Sequence, residues 1–254
     1  MKILVVGDVV GRPGRRAVQQ LVPALRKQHD IDLVIANGEN AAGGIGLTKT
    51  TAEELLRYGV DVLTSGNHIW DQKDIVPHLD GDLPILRPLN YPHGVPGRGY
   101  LVQKEVMVVN LMGRTFMTPV ECPFRTMDRL LAEQTDRPNT IIVDFHAEAT
   151  SEKVALGWYL NGRVSAVLGT HTHVGTIDAR ILPKGTAYVT DLGMTGPSES
   201  VIGDDVEGVV AKFLTLIPRR LAVGKGDSIL NSVLIEVDDR GRAVRINRLD
   251  MEFT

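Results

Sequence analysis

The feature that most constrains the fold is a pattern repeated three times near the start of the chain, a short apolar run followed by a more polar segment. The apolar runs cover residues 2–7, 32–36 and 60–64, and runs of this length are typical of buried strands. The segment after the first run has apolar residues at helical spacing, at positions 18, 21, 22 and 25. Strand and helix units in series predict a mainly parallel sheet with right-handed crossovers.

The second half of the chain is richer in strand-like runs. We expect a hairpin over 99–103 and 105–110, and a helix over 124–133. Further strands are expected over 140–145, 164–168, 187–190, 228–237 and 242–249, and further helices over 151–160 and 206–215. This arrangement predicts an α/β fold in which two sheets pack together with helices outside.

Polar side chains suited to metal binding follow each of the first three predicted strands. They are Asp8 after the first strand, Glu39 and Asn40 after the second, and Asn67 and His68 after the third. In open parallel sheets, ligands bind beyond the carboxyl ends of the strands, which meet at one edge. A single carboxylate there means little, but such residues after three consecutive strands indicate a shared site.

Three histidines lie at the ends of two later strands. His146 ends the strand over 140–145, while His171 and His173 follow the apolar run at 164–168. Residues two apart in an extended segment point the same way, so we expect His171 and His173 to share a face. Such a pair can bind one metal ion, or one ion each of a close pair. Because the H-x-H pattern alone is weakly specific, two ordinary surface histidines are the alternative.

The collected side chains supply oxygen and imidazole ligands and no thiolate, which suits iron, manganese, zinc or nickel. They are Asp8, Glu39, Asn40, Asn67, His146, His171 and His173. This set is too large for one catalytic ion that keeps a water molecule, but it suffices for two ions that share a carboxylate. Glu39 is the natural bridge, and paired ions can clamp the attacking and leaving oxygens of a displacement reaction.

Composition limits the class of protein. The 254 residues, 43% of them hydrophobic, fit a single domain over residues 1–254. A formal net charge of −3 argues against a protein that coats nucleic acid, so we expect no stable DNA binding, although a local basic pocket stays open. Cys122 is the single cysteine, and neither a secretory signal nor a membrane-spanning stretch is recognisable. We therefore expect a cytoplasmic protein without membrane association.

The polar blocks also resemble those of a known family. In order, they resemble the blocks of calcineurin-like metallophosphoesterases: Gly7-Asp8, Gly38-Glu39-Asn40, Gly66-Asn67-His68, His146 and Gly169-Thr170-His171-Thr172-His173. More narrowly, the chain is similar over nearly its whole length to the YmdB-like bacterial phosphodiesterases. This narrower likeness includes Arg87-Pro88-Leu89-Asn90-Tyr91, Asp144-Phe145-His146-Ala147-Glu148-Ala149-Thr150 and Met194-Thr195-Gly196-Pro197.

The resemblance implies a four-layer αββα sandwich of two mixed sheets and a site for two metal ions, with iron as the first choice and manganese as the alternative. One ion would take Asp8, Glu39, Asn40 and His173, and the other would take Glu39, Asn67, His146 and His171. The family hydrolyses phosphodiesters, notably 2′,3′-cyclic nucleotides, so the expected substrate is a cyclic nucleotide or an RNA-derived phosphodiester. The resemblance further implies a metal-bridging hydroxide as nucleophile and His68 as general acid.

Two positions depart from the broader superfamily. That superfamily has Asp-x-His in its first block and an aspartate bridge in its second, whereas this chain has Val10 and Glu39 at those positions. Asn40 is expected to supply the missing ligand. The departures agree with the narrower family and leave the identity of the metals open.

Several neighbouring residues allow two interpretations. Arg12 and Arg15 either contact a phosphate or form surface salt bridges. Glu148 either orients a ligand histidine or is solvated. Trp70 and Tyr91 either stack on a base or belong to the core.

Two other functions stay open on the sequence. The same site could serve a phosphomonoesterase, for which a cyclic substrate is incidental. Alternatively, the protein is a regulatory partner in RNA degradation, and its metals serve binding or stability. The sequence is also compatible with a homo-oligomer.

Overall fold

The computed structural model describes all residues from 1 to 254. In chain order the elements are β1 (Lys2–Val6), β2 (Asp8–Val9), α1 (Gly11–His29), β3 (Leu33–Asn37), α2 (Lys49–Arg57), β4 (Val62–Thr64), β5 (Tyr100–Gln103), β6 (Val106–Met112), α3 (Pro123–Glu133), β7 (Thr140–His146), α4 (Thr150–Leu160), β8 (Ala166–Thr170), β9 (Arg180–Ile181), β10 (Ala187–Val189), β11 (Met194–Pro197), α5 (Val206–Thr215), β12 (Ser228–Leu230), β13 (Ser232–Val237), β14 (Ala243–Arg248) and β15 (Met251–Phe253). None of the helices combines the length and the apolar character needed to span a lipid bilayer.

Two main sheets contain most of the strands. The first has the order β14-β13-β1-β3-β4, and β1, β3 and β4 are parallel as predicted. The second has the order β5-β6-β7-β8-β10-β9, in which β5 and β6 form the predicted hairpin and β6, β7, β8 and β10 are parallel. Both sheets also carry antiparallel edge strands, so both are mixed.

The two main sheets pack face to face through buried aliphatic side chains. Ile3 and Leu33 of the first sheet belong to the same apolar cluster as Val108, Ile142 and Leu168 of the second. This burial removes the inner faces of both sheets from water, which is the main stabilising contribution to the fold.

The helices cover the outer faces. Val18 of α1 and Leu55 of α2 pack in the cluster that covers the first sheet, and Met127 of α3 and Leu156 of α4 pack in the cluster that covers the second. The predicted four-layer αββα sandwich is therefore confirmed.

A third, small sheet with the order β15-β12-β11-β2 is an addition to the predicted architecture. The single strand predicted over 228–237 is wrong, because it breaks at Asn231 into β12 and β13, which belong to different sheets. The break lies against a matching break between β1 and β2, where the Gly7 N–H donates to the Asn231 carbonyl at 2.9 Å. A Cβ on Gly7 would lie 1.9 Å from the Gly193 carbonyl oxygen, so this close approach requires glycine.

Candidate metal centre

The sandwich brings all the predicted site residues to one place, the edge where the parallel strands end. Asp8 follows β1, Glu39 and Asn40 follow β3, and Asn67 follows β4 by three residues. His146 is the last residue of β7, and His171 follows β8 directly. Asp8, Glu39 and His146 are fully buried at 0% exposure, an environment in which charged groups need partners.

A first group of ligand-type atoms surrounds Nε2 of His146. This nitrogen lies 2.9 Å from Glu39 Oε1, 3.1 Å from Asn67 Oδ1 and 3.0 Å from His171 Nδ1. One ring nitrogen carries at most one proton, so it cannot satisfy three such neighbours by hydrogen bonding. With bonds of about 2.1 Å, adjacent ligand atoms of an octahedral ion lie about 3.0 Å apart. The spacing therefore fits a metal ion, and Glu39, His146 and His171 form a group that could hold one.

A second group surrounds Nε2 of His173. The Asn40 amide lies 3.1 Å from this nitrogen, and Asp8 Oδ1 lies 3.9 Å from it. Asp8 Oδ1 and Glu39 Oε1 are buried oxygens without a hydrogen bond of good geometry. Glu39 Oε1 is close to His146 Nε2, but that contact is not aligned as a hydrogen bond. Because unpaired buried oxygens are costly, both atoms favour a cation beside them.

Each of the three histidines has its outer ring nitrogen held by an acceptor. His146 Nδ1 lies 3.0 Å from the Thr170 hydroxyl, which donates its own proton to Asp144. His171 Nε2 lies 3.1 Å from Glu148, and His173 Nδ1 lies 2.7 Å from the Ile202 carbonyl. These contacts fix a proton on the outer nitrogen and turn the other nitrogen of each ring toward the cluster. Such an arrangement is typical of histidines that bind metals.

The electrostatics of the cluster also favour a cation. Burial raises the pKa of Glu39, but His146 outweighs this effect and lowers the pKa to about 2. Burial lowers the pKa of His146, but Glu39 and Asp8 outweigh it and raise the pKa to about 9. Burial and the nearby His146 lower the pKa of His171 to about 3. The cluster thus attracts one positive charge at His146 Nε2, and a metal ion would compete with a proton there.

His68 lies at the rim of the cluster. Its main-chain N–H donates to Glu39 Oε2 at 2.9 Å, and its Nδ1 lies 2.6 Å from Asp71 Oδ2. Its ring lines a cleft of about 600 Å³ together with Glu39, His171 and His173. The side chain is about one-third exposed, so its second ring nitrogen can reach a molecule bound in this cleft.

The loop that carries His171 and His173 differs from the prediction. Strand β8 ends at Thr170, and His171 and His173 have φ angles of 104° and 65°. The two rings therefore reach the cluster through left-handed backbone, and the expectation that extended alternation puts them on one face is wrong. A non-glycine residue in this region stores strain, which surrounding contacts must offset.

The contacts that hold this loop come from Asp191. One of its carboxylate oxygens accepts from the Thr172 N–H at 3.2 Å and hydroxyl at 2.8 Å, and from Lys153 Nζ at 2.6 Å. Its other oxygen accepts from the Gly193 N–H at 2.8 Å. Lys153 and Asp191 are each 1% exposed, so a buried ion pair anchors the loop.

Sequence reasoning missed the layer of residues behind the candidate ligands. Asp144 accepts hydrogen bonds from Thr64 and Thr170, and burial raises its pKa to about 6. Asn37 Oδ1 accepts from the Glu39 N–H at 3.1 Å. A detectable signal was present for Asp144, because a carboxylate interrupts an otherwise apolar strand.

For the residues that allowed two interpretations, the structure favours a role at the site in one case and a structural role in the others. Glu148 contacts His171, which favours the orienting role over a solvated carboxylate. Arg15 forms an ion pair with Glu54 at 2.7 Å, which favours the salt-bridge interpretation for that residue. Trp70 and Tyr91 make an edge-to-face pair with centroids 5.5 Å apart and pack against the outer core of the first sheet.

The sequence and the fold are both similar to those of known proteins. A family model described as YmdB-like protein matches residues 4–249. The 2′,3′-cyclic-nucleotide 2′-phosphodiesterase of Bacillus subtilis (strain 168) is 50% identical over 254 residues, covering 98% of this chain and 96% of that protein. The crystal structure of a hypothetical protein from Thermus thermophilus has a TM-score of 0.95 at 46% identity, with 100% of both chains covered.

A second solved structure is equally close in fold. A novel phosphatase from Mycoplasma pneumoniae has a TM-score of 0.94 at 35% identity, covering 100% of this chain and 94% of that chain. The predicted resemblance is confirmed, because sequence and fold agree over essentially the whole length. The chain belongs to the family described as YmdB-like protein.

Proposed function

We propose that this protein is a metal-dependent phosphodiesterase that hydrolyses 2′,3′-cyclic nucleotides. The observation that carries the proposal is the group of ligand-type atoms from Glu39, His146 and His171, beside a cleft open to a small molecule. The name of the Bacillus subtilis relative supports the reaction class. In the reaction, the oxygen of water bonds to phosphorus, one ribose oxygen leaves, and that oxygen takes up a proton.

Two metal ions would be held by the two groups, with Glu39 shared between them. Asp8, Asn40 and His173 would complete one site, and Asn67, His146 and His171 would complete the other. For Asn40 the amide oxygen would face the ion, which requires only a rotation of the amide. Two bound ions would supply Lewis acidity and lower the pKa of water to about 7. Iron is our first choice and manganese the alternative, because both accept carboxylate and imidazole ligands.

His68 is proposed as the general acid. Asp71 holds its Nδ1 at 2.6 Å and so directs its Nε2 away from the loop. A ribose alkoxide is a poor leaving group unless it is protonated, and an imidazolium can donate the required proton. The main-chain N–H of His68 separately orients Glu39.

One assay compares the main alternatives. We expect a higher kcat/KM for a 2′,3′-cyclic nucleotide than for the corresponding nucleoside monophosphate. A protein that hydrolyses only the monoester would be a phosphomonoesterase, and our proposal would be wrong. A metal-free variant that keeps a cellular phenotype would favour the regulatory role in RNA degradation.

Gly66→Ala should weaken metal binding without unfolding the chain. A Cβ at this position would lie 2.1 Å from His146 Cδ2 and 2.3 Å from Nε2, so the ring must move. We expect a loss of metal affinity of roughly 10–100-fold, the scale seen when a ligand loses its support. Metal titration followed by calorimetry measures the affinity. Gly81→Ala is the control, because its Cβ would meet nothing closer than 3.3 Å, and equal effects of the two changes would contradict the assignment of His146.

Metal binding should stabilise the fold. The buried oxygens of Asp8 and Glu39 lack hydrogen bonds without a cation, and a ligand of the native state adds about 2.7 kcal/mol at one hundred times its Kd. For a chain of this size we expect the Tm to rise by about 5–10 °C. Thermal unfolding after chelation and after addition of Mn²⁺ tests this expectation. An unchanged Tm on addition of the metal would contradict it.

A further inference from the structure

A second cleft adjoins the cleft of the candidate metal centre. It has a volume of about 540 Å³ and shares Gly43 with the first cleft. Arg12 and Arg16 of α1 line it together with Lys225. No aspartate or glutamate side chain lines it.

The cations of this second cleft have no anionic partner within the protein. Neither Arg12, Arg16 nor Lys225 has a carboxylate oxygen within 4.0 Å, whereas Arg15 on the same helix is paired with Glu54. Arg16 instead lies over the Phe253 ring, 5.7 Å from its centroid. Three basic side chains outnumber the terminal carboxylate of Thr254, which also lines the cleft. The cleft therefore attracts anions although the protein is negative overall.

Gly43 lines both clefts, and Gly44 lines the first beside it. Gly43 and Gly44 have φ angles of 70° and 96°, which favour glycine. A Cβ on Gly44 would lie 2.8 Å from Val223, and a Cβ on Gly43 would meet nothing within 4 Å. Arg219 and Arg220 line the first cleft, together with the carboxylates of Glu39, Glu148 and Asp204. An extended anion could therefore lie across both clefts.

We propose that the second cleft binds the preceding nucleotide of an oligoribonucleotide whose 2′,3′-cyclic phosphate end lies at the candidate metal centre. This inference rests on the proposed function and adds a binding site for the RNA chain that precedes the cyclic phosphate. A cyclic mononucleotide carries one phosphate and leaves the second cleft without a ligand. The phosphodiester of a preceding nucleotide supplies the negative charge that three unpaired cations favour.

The binding test uses a labelled ribotrinucleotide that ends in a 3′-phosphate, which cannot be ring-opened. Fluorescence anisotropy measures its affinity for the metal-loaded protein and for the Arg12→Ala, Arg16→Ala, Lys225→Ala triple variant. Three lost contacts should weaken binding by at least about tenfold. They should also make the negative slope of log K against log salt shallower by about 2. Lys27→Ala, Arg57→Ala, Arg240→Ala is the matched control, because it removes three exposed cations at the opposite edge of the sheets. Equal losses in both triple variants, or no loss in either, would overturn the proposal.

The kinetic test compares a cyclic mononucleotide with a dinucleotide that ends in a 2′,3′-cyclic phosphate. In the unmodified protein the dinucleotide should have the higher kcat/KM. The Arg12, Arg16 and Lys225 triple variant should lose this advantage through KM and keep its activity on the mononucleotide. Equal kcat/KM values for the two substrates in the unmodified protein would overturn the proposed binding of RNA ends but not the proposed phosphodiesterase function. Absence of activity on both would overturn the proposed function, whereas the anisotropy measurement would still decide whether the cleft binds RNA.

Discussion

Replacement of His68 by alanine is expected to lower kcat for a cyclic nucleotide by roughly 10²–10⁴-fold. The variant should keep its metals, because the contact with Glu39 comes from the main-chain N–H, which alanine retains. An activated ester with a p-nitrophenolate leaving group needs little protonation, so its hydrolysis should suffer less. Steady-state kinetics on both substrates, with metal content measured on the same samples, tests the expectation.

Asp71→Asn is the companion variant for this experiment. It keeps the imidazole but weakens the contact that holds His68 Nδ1, so we expect a smaller loss than in His68→Ala. If His68→Ala loses metal, His68 is a ligand. If it slows both substrates equally, His68 stabilises charge and does not donate a proton.

Lys153→Met should lower the free energy of unfolding by about 3–5 kcal/mol, because it leaves the carboxylate of Asp191 buried without its cation. Both partners are 1% exposed, and their atoms lie 2.6 Å apart. For a chain of this size the loss corresponds to a fall in Tm of about 10 °C. The Thr172 contacts depend on the same carboxylate, so metal affinity should fall as well. Urea unfolding and metal titration measure the two effects.

Arg163→Ala provides the control for the buried pair. Arg163 and Asp128 also form an ion pair, at 2.6 Å, but their side chains are 36% and 43% exposed. Exposed pairs contribute about 0–1 kcal/mol. Similar losses in Lys153→Met and Arg163→Ala would contradict the anchoring role of Lys153 and Asp191.

Much of the fold could be predicted from the sequence because its main strands are continuous apolar runs. The parallel strands of both main sheets follow from these runs, and the position of Asp8, Glu39 and Asn67 follows from the rule that such strands end at one edge. The small third sheet could not be predicted, because its strands are two to four residues long. Such short strands depend on contacts between distant segments, such as that of Gly7 with Asn231.

The candidate site likewise contains residues that could be predicted from the sequence and residues that could not. Its inner residues lie next to strand ends and carry recognisable chemistry, so the sequence pointed to them. The supporting residues Asp144 and Lys153 belong to a strand and a helix whose patterns predict only secondary structure. Their roles depend on side chains that meet across the fold, with Thr170 in one case and Asp191 in the other. The left-handed backbone at His171 is likewise a product of the folded loop.

We propose above all that two metal ions bind at this edge of the sheets and share Glu39. The most direct test is the metal content of each chain, measured by mass spectrometry of the elements on protein purified without chelator and then saturated with metal. We expect two ions per chain in the unmodified protein and a loss confined mainly to one of them in Asn67→Ala. Binding of no more than one ion by the saturated, unmodified protein would contradict the account.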